Sequence, residues 1–441
     1  MIIKEKFNNF TKRRFVRDTA ILQTSGVFSI GLSFLASIIF ARILGPDNYG
    51  IYSLIFALTA FIGIFVGLGA DYTILTLLPE AYAKKDKREI KNILAYFFKI
   101  TLIFTVLVNL IAIVIAPLIS EILYDQKDIG QLARWILAAS IIQVFLIFLI
   151  LVLQSTRKIK RLAILENTQK LFYSLVPILL VLWGLGLLGI VWGRFLAEII
   201  LFMIAFFGYK AIAKKDELLP SFSEIFFQIF KVKIKQYFKL GLWITLDKKI
   251  SNLIDVLPVV LLGIIAITTS QVAYFKITLS YLGLSLILLT PISRLLTVQL
   301  PKSKAHSLIV LKRDFWKSSI FSGVIYLFII LFFVIMASFL VNAFYGEDYL
   351  ICVGLIYALS LSKIFGGFTV GYGTIFRVFN KLKVAVIINI VSLFLALLIF
   401  LTLQDIMPIL KLIILIVVIM NWFTFFLATY FIRRFFKEIK E

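Results

Sequence analysis

The stretch "LGLWITLDKKISNLIDVLPVVLLG", residues 240–263, sets charges inside a run otherwise apolar enough to cross a bilayer. At about 100° per residue, Thr245, Lys248, Ser251, Asn252 and Asp255 fall within one helical stripe about 120° wide. Lys249 sits beside that stripe and Asp247 on its other flank. A charge at the bilayer centre is costly, so a stripe this polar faces protein or a water-filled cavity. Lys248 lies about 10 residues, or about 15 Å, from the start of its span, close to mid-membrane. Only a bound anion, or Asp247 and Asp255, could offset the burial of Lys248 and Lys249.

The first apolar run offers a milder version of the same pattern. Ser25, Ser29, Ser33 and Ser37 recur at four-residue spacing, with Gln23 and Thr24 alongside. Small hydroxyl residues at that spacing make a packing face for a neighbouring helix; they could equally line a cavity. Other charges fall within apolar runs: Asp71, Arg134, Arg194, Glu198, Lys276, Arg294 and Lys363. Arg194 and Glu198, four apart, read as an internal ion pair. Arg134 and Lys276 lie near the outer ends of their runs, where long side chains snorkel toward water. Arg42, just before a Gly-Pro-Asp-Asn turn, is expected to reach outer headgroups in the same way.

Several chemistries are excluded at this level. One histidine, His306, leaves no room for a histidine-ligated metal or a histidine-based triad. One cysteine, Cys352, excludes an intrachain disulfide and a cysteine-cluster metal site. No phosphate-cradling Walker motif occurs. The expectation is therefore no catalytic residues, no metal, no cofactor and no enzyme activity, with coupling to a proton or sodium gradient left open.

The elements that must position these residues are membrane helices. The chain has 441 residues, 61% of them hydrophobic, against about 45–50% for a soluble domain. Apolar runs long enough to cross a ~30 Å hydrocarbon core fall at 19–44, 49–78, 92–120, 131–153, 168–183, 187–208, 239–263, 270–300, 317–343, 350–373, 383–403 and 409–431. The connections alternate in charge. The N-terminus, 79–99, 154–170, 208–239, 301–317, 377–383 and 433–441 hold 36 of the 46 Lys and Arg residues; the opposite connections hold only Lys127 and are acidic. Positive loops stay inside, which places both termini in the cytoplasm of a multi-pass cell-membrane protein. The net charge of +23 then reflects topology rather than a nucleic-acid partner. The basic N-terminus precedes a run too long for a signal-peptide core, so it reads as a retained first helix.

The chain also repeats. Residues 52–85 align without a gap on 274–307, pairing Tyr52 with Tyr274 and Pro79 with Pro301. "ILYDQKD" (122–128) resembles "AFYGEDY" (343–349). The fold expected is all-α integral membrane: twelve transmembrane helices in two six-helix lobes related by pseudo-two-fold symmetry about the membrane normal. The boundaries are 1–207 and 239–441, with 208–238 as a cytoplasmic amphipathic linker on which Phe222, Ile225, Phe226, Ile229 and Phe230 precede Lys231, Lys233 and Lys235. The alignment puts Asp71 opposite Ser293, beside Arg294, so Asp71 and Arg294 are a candidate gate pair.

"ARILGPDNYGIYSL", followed by "LGADYTILTLLPEAYAKKDK", resembles the polysaccharide-biosynthesis or O-antigen flippase family of the multidrug/oligosaccharidyl-lipid/polysaccharide (MOP) superfamily. The matching residues are Arg42, Leu44, Gly45, Pro46, Tyr49 and Gly50, then Gly67 and Gly69, and "FYGEDY" at 344–349 is similar to that family's external loop. The resemblance implies alternating access and a polyprenyl-(pyro)phosphate-linked oligosaccharide as cargo, moved from the cytoplasmic to the outer leaflet. On that reading Lys248, Lys249, Asn252, Asp255, Ser25, Ser29 and Ser33 bind substrate. Membrane lipids and glycan-assembly enzymes are the expected partners. A multidrug or small-solute antiporter of the same fold class is the alternative.

Overall fold

The computed structural model describes residues 14–66 and 69–438. The described residues contain helices, turns and bends and no strand. The helices are α1 Arg14–Gly63, α2 Ala70–Ala83, α3 Lys87–Tyr124, α4 Lys127–Ser155, α5 Ile159–Leu180 and α6 Gly186–Lys215, with a π-turn at Val181–Leu185 between the last two. They continue as α7 Phe222–Ile229, α8 Ile234–Ile265, α9 Thr269–Ile287, α10 Thr290–His306, α11 Leu308–Ile335 and α12 Ala337–Tyr345. The series ends with α13 Cys352–Ser360, α14 Tyr372–Val378, α15 Leu382–Leu403 and α16 Ile409–Glu438. Among the described residues, seven helical stretches are long and apolar enough to span a membrane by themselves. The protein is a multi-pass, all-helical membrane protein.

Four expected spans prove to be interrupted. The 49–78 run breaks between Gly63 and Ala70, and the 270–300 run at Leu288–Leu289, one residue before Thr290-Pro291. The 317–343 run breaks at Met336, and 350–373 holds one short helix and a 3-10 turn at Leu361–Lys363 before α14 starts at Tyr372. Hydropathy alone does not register the breaks at Leu288–Leu289 and Met336, because the residues at them are as apolar as their neighbours.

The repeat is visible in these boundaries. α5 and α15 are both 22 residues long, and α6 and α16 both 30. In each pair the second helix starts 223 residues after the first, at 382 against 159 and at 409 against 186. α3 covers 87–124, and α11 with α12 covers 308–345. Pro79 and Pro301 fall inside α2 and α10, each just after a break.

The chain divides into two compact units: residues 1–40 with 58–245, and residues 41–57 with 246–441. The first unit is built around an aromatic core. Phe97, Phe98 and Phe148 are fully buried, and the Phe222 ring stacks on Phe206 at 5.0 Å and 5°. Phe222 and Ile225 thereby anchor α7, whose start carries a reciprocal capping box between Ser221 and Glu224. Asp216, in the turn before it, receives Lys158 Nζ at 2.6 Å and the Tyr82 hydroxyl at 2.7 Å. Burial works against its charge, but those two bonds outweigh it and hold the carboxyl below the usual carboxylate range. Lys231 and Lys233 remain exposed, and the Lys235 side chain lies outside the described residues.

The second unit includes a strap, residues 41–57, from the chain's N-terminal half. The expected four-residue β-turn is replaced by a break at Gly45 alone, with φ 71° and ψ 173°. Only glycine adopts that backbone readily, and Pro46, which needs no N–H partner, restarts the helix. Arg42 does not snorkel. Its Nε donates to the Phe344 carbonyl at 2.7 Å and its Nη2 to the Ala343 carbonyl at 2.5 Å, at the end of α12. The Tyr349 hydroxyl donates back to the Ala41 carbonyl at 2.9 Å. A side chain at Gly50 would overlap the Thr269 carbonyl.

Arg42→Gln removes two hydrogen bonds from a charged donor, of order 1.5–3 kcal/mol each when buried and about 1–2 in total at this exposed site. Hydrogen exchange in nanodiscs should therefore speed up about 5- to 30-fold across 41–57, and Gly50→Ala should loosen the same amides. Ile43→Ala, at an exposed neighbour, should leave them unchanged. Unchanged protection in Arg42→Gln, with loss in Gly50→Ala, would show that the strap is held by packing alone.

Candidate functional site

α8 carries the polar stripe. Thr245 is buried, Lys249 half-buried, and Lys248, Ser251, Asn252 and Asp255 are exposed on one face. The Asp247 side chain lies outside the described residues. Ser251 and Ile254 form one wall of a cavity of about 370 Å³ within the second unit. Its other walls come from Ser362, Phe365 and Thr369 on the broken segment and from Asn389, Asn421 and Thr424 on α15 and α16. The Phe365 and Phe425 rings stack beside it at 4.2 Å and 3°.

Two lysines that the sequence pattern did not group with the stripe join Asp255. Lys363 ends the 3-10 turn and Lys276 lies in the second turn of α9. Both are half-buried, and the charges of both act on Asp255. Among the described residues, none of the three makes an ion pair within 4.0 Å. Lys276, expected near the outer end of its run, is half-buried, and its charge acts on Asp255. The cluster carries two cations against one anion. The signal for it was present as three isolated charges in three apolar runs, but nothing in their spacing brings positions 255, 276 and 363 together.

The first unit spends its polar groups internally. Ser25 Oγ donates to Asn167 Oδ1 at 2.9 Å, and Ser29 Oγ to the same atom at 3.0 Å. The two serines are buried and fasten α1 to α5. Ser33 is exposed and bonds the Ser29 carbonyl at 3.0 Å. Arg194 and Glu198 do pair, at 3.7 Å. The Arg194 guanidinium also lies 3.0 Å over the Tyr173 ring, whose hydroxyl donates to Glu198 and receives Gln143 Nε2 at 2.8 Å. Arg134 does not snorkel either. Its Nε donates at 2.7 Å to the Ile113 carbonyl, the very group that Pro117 leaves without an N–H partner. Asp71 stands in the first turn of α2, half-buried. The Arg294 side chain lies outside the described residues.

The fold is shared with solved transporters of the MOP superfamily. An inward-facing multidrug-resistance MATE transporter of that superfamily aligns with a TM-score of 0.74 at 17% identity, over 93% of this chain and 95% of that one. A MOP transporter from Pyrococcus furiosus, described as having a binding pocket of reversed polarity, aligns at 0.65 with 17% identity, over 96% of each chain. A eukaryotic MATE transporter aligns at 0.67 with 15% identity, over 95% of each. Residues 39–354, more than half of the chain, match the family model of polysaccharide biosynthesis proteins, and the chain belongs to that family. Stage V sporulation protein B of Bacillus subtilis is 28% identical over 117 residues, which is 26% of this chain and only 22% of that protein's length.

If Asp255 holds the two lysines in place, the three charges must be energetically coupled. Asp255→Asn should destabilise the protein by about 1–3 kcal/mol by leaving two like charges unbalanced, and adding Lys363→Gln should recover part of that loss. Thermal denaturation of the four variants of the cycle in one detergent gives the coupling. Strict additivity would mean that the charges act on the cluster separately.

Proposed function

We propose that this protein is a flippase that moves a polyprenyl-(pyro)phosphate-linked oligosaccharide from the cytoplasmic to the outer leaflet. In this reading twelve helices form two six-helix lobes, both termini are cytoplasmic, and the lobes alternate access to a central path. The observation that carries it is that Lys276 and Lys363, half-buried within the second unit, close no ion pair among the described residues. A (pyro)phosphate entering beside Asp255 would meet two lysines not engaged by any ion pair. Phosphate oxygens form short, charge-assisted bonds with such donors. Lys248 and Lys249, with Asn252 and Ser251 on the same helix, would extend the cationic and hydroxyl surface along the glycan. The lipid tail would stay in the bilayer.

Membership of the polysaccharide biosynthesis family supports that cargo class. The MATE-like fold is compatible with a multidrug or small-solute antiporter, but organic cations are the commoner cargo that an anionic site would suit, and this cluster has the opposite sign. No chemical step is required of the protein, and a proton or sodium gradient could supply direction.

The test is reconstitution with a fluorescent polyprenyl-pyrophosphate oligosaccharide and, separately, a cationic dye. Wild-type protein should move the lipid and not the dye. Lys276→Ala and Lys363→Ala should each reduce lipid movement about tenfold or more, since a charged hydrogen bond is worth ~1.5–3 kcal/mol. Dye transport with no lipid movement would replace this reading by the antiporter. The gate pair is tested in the same assay. Asp71→Arg and Arg294→Asp should each impair movement and the double swap should recover it in part; additive damage would remove the pair from the mechanism.

A further inference from the structure

A groove on the first unit has the shape and polarity of a phospholipid. It has a volume of about 310 Å³ and runs between α4, α5 and α6. Its lining changes along the helix axes. At one end stand Arg161, in the first turn of α5, and Lys215, the last residue of α6. Deeper in the membrane the walls are Leu149, Leu153, Ile164, Leu165, Ile204 and Ile212. From Lys215 to Ile204 is eleven residues, about 16 Å of helix, which is half of a hydrocarbon core.

The two cations are available. Both are exposed, and neither makes a hydrogen bond or ion pair among the described residues. The acids that follow Lys215 in sequence are engaged elsewhere: Asp216 holds Lys158 and the Tyr82 hydroxyl, and Glu217 lies 4.0 Å from Lys87. Gly208 on the groove floor leaves room where a side chain would press against Leu149. A cationic mouth above an apolar slot is complementary to one occupant, an acidic diacyl phospholipid, with its phosphate between Arg161 and Lys215 and an acyl chain along the slot. Basic pockets between membrane helices hold such headgroups.

We propose that this groove is a binding site for an acidic phospholipid of the leaflet bordering the basic loops, bound as a structural ligand of the first unit. The inference is independent of the cargo, because every lining residue lies outside the Asp255 cluster.

Native mass spectrometry of the full-length protein reads it directly. The probes are phosphatidylglycerol, phosphatidylcholine, polyprenyl phosphate and inorganic phosphate, each added separately. Wild-type protein should retain one phosphatidylglycerol in preference to the other three. Arg161→Gln with Lys215→Gln should weaken retention about thirtyfold, about fivefold for each cation. Ala211→Phe, which keeps both cations but fills the slot, should also lower it. Lys231→Gln with Lys233→Gln, an equal charge change elsewhere on the basic side, should leave it intact. Equal retention of phosphatidylcholine, a fall in the Lys231/Lys233 control as large as in the groove variant, or no fall in either groove variant would overturn the site. Preferential retention of polyprenyl phosphate would overturn the assignment to a resident phospholipid, and binding of inorganic phosphate alone would remove the role of the slot.

Discussion

Hydrocarbon offers no hydrogen bonds, so every backbone group that a break in a membrane helix releases must find a partner inside the protein. This one requirement accounts for where most polar side chains of the molecule are used. Pro117 frees the Ile113 carbonyl, and Arg134 takes it. The segment between Lys363 and Tyr372 leaves the helical ladder, and Ser322 and Ser319 cap the Gly367 and Phe368 carbonyls at 2.8 and 2.6 Å. The Trp422 indole reaches the Leu361 carbonyl at 2.8 Å, and the Tyr281 hydroxyl the Phe333 carbonyl at 2.6 Å near the end of α11. Broken helices are stable here because hydroxyls, an indole and guanidinium groups replace the missing ladder bonds.

The same requirement leaves two lysines over. Arg42, Arg134 and the Arg194–Glu198 pair are all committed to carbonyls, a ring or each other. Lys276 and Lys363 are not. They face a single acid without closing an ion pair, an arrangement that costs stability unless another anion is bound. A residue kept in an expensive state, while its chemical equivalents elsewhere are satisfied, is where ligand binding has something to repay. That contrast gives the half-buried Lys276 and Lys363 more weight than the exposed Lys248.

The helices were legible in the sequence from the length of its apolar runs. The equal lengths of α5 and α15, and of α6 and α16, agree with the internal repeat that pairs Tyr52 with Tyr274. The ion pair at 194 and 198 was readable because both partners share one helix face. The breaks were not, since Leu288-Leu289 and Met336 carry no polarity. Nor were the partners of Arg42 and Arg134: a lone arginine near a helix end reads as a snorkelling residue unless the orphaned carbonyl opposite it is known. The serine stripe was ambiguous for a related reason. Four-residue spacing defines a face but not what meets it, and it is Asn167, 142 residues from Ser25, that decides the matter.

Two of the short stretches that carried the family resemblance, 41–54 and 344–349, bind each other. Arg42 donates to the Phe344 carbonyl, Tyr349 donates to the Ala41 carbonyl, and the Tyr349 ring lies between those of Tyr274 and Tyr345, at 6.0 and 5.9 Å. Each motif residue has a separate duty in that contact. Leu44 and Tyr49 are buried, Gly45 and Pro46 break and restart the helix, and Gly50 admits the Thr269 backbone. The motif therefore encodes a docking interaction rather than a catalytic or binding set. It commits residues 41–57 to a unit other than the one that holds the rest of α1. The helix that carries residues 41–57 is broken at Gly45 and ends at Gly63, and those are the places where its ladder offers least resistance to bending.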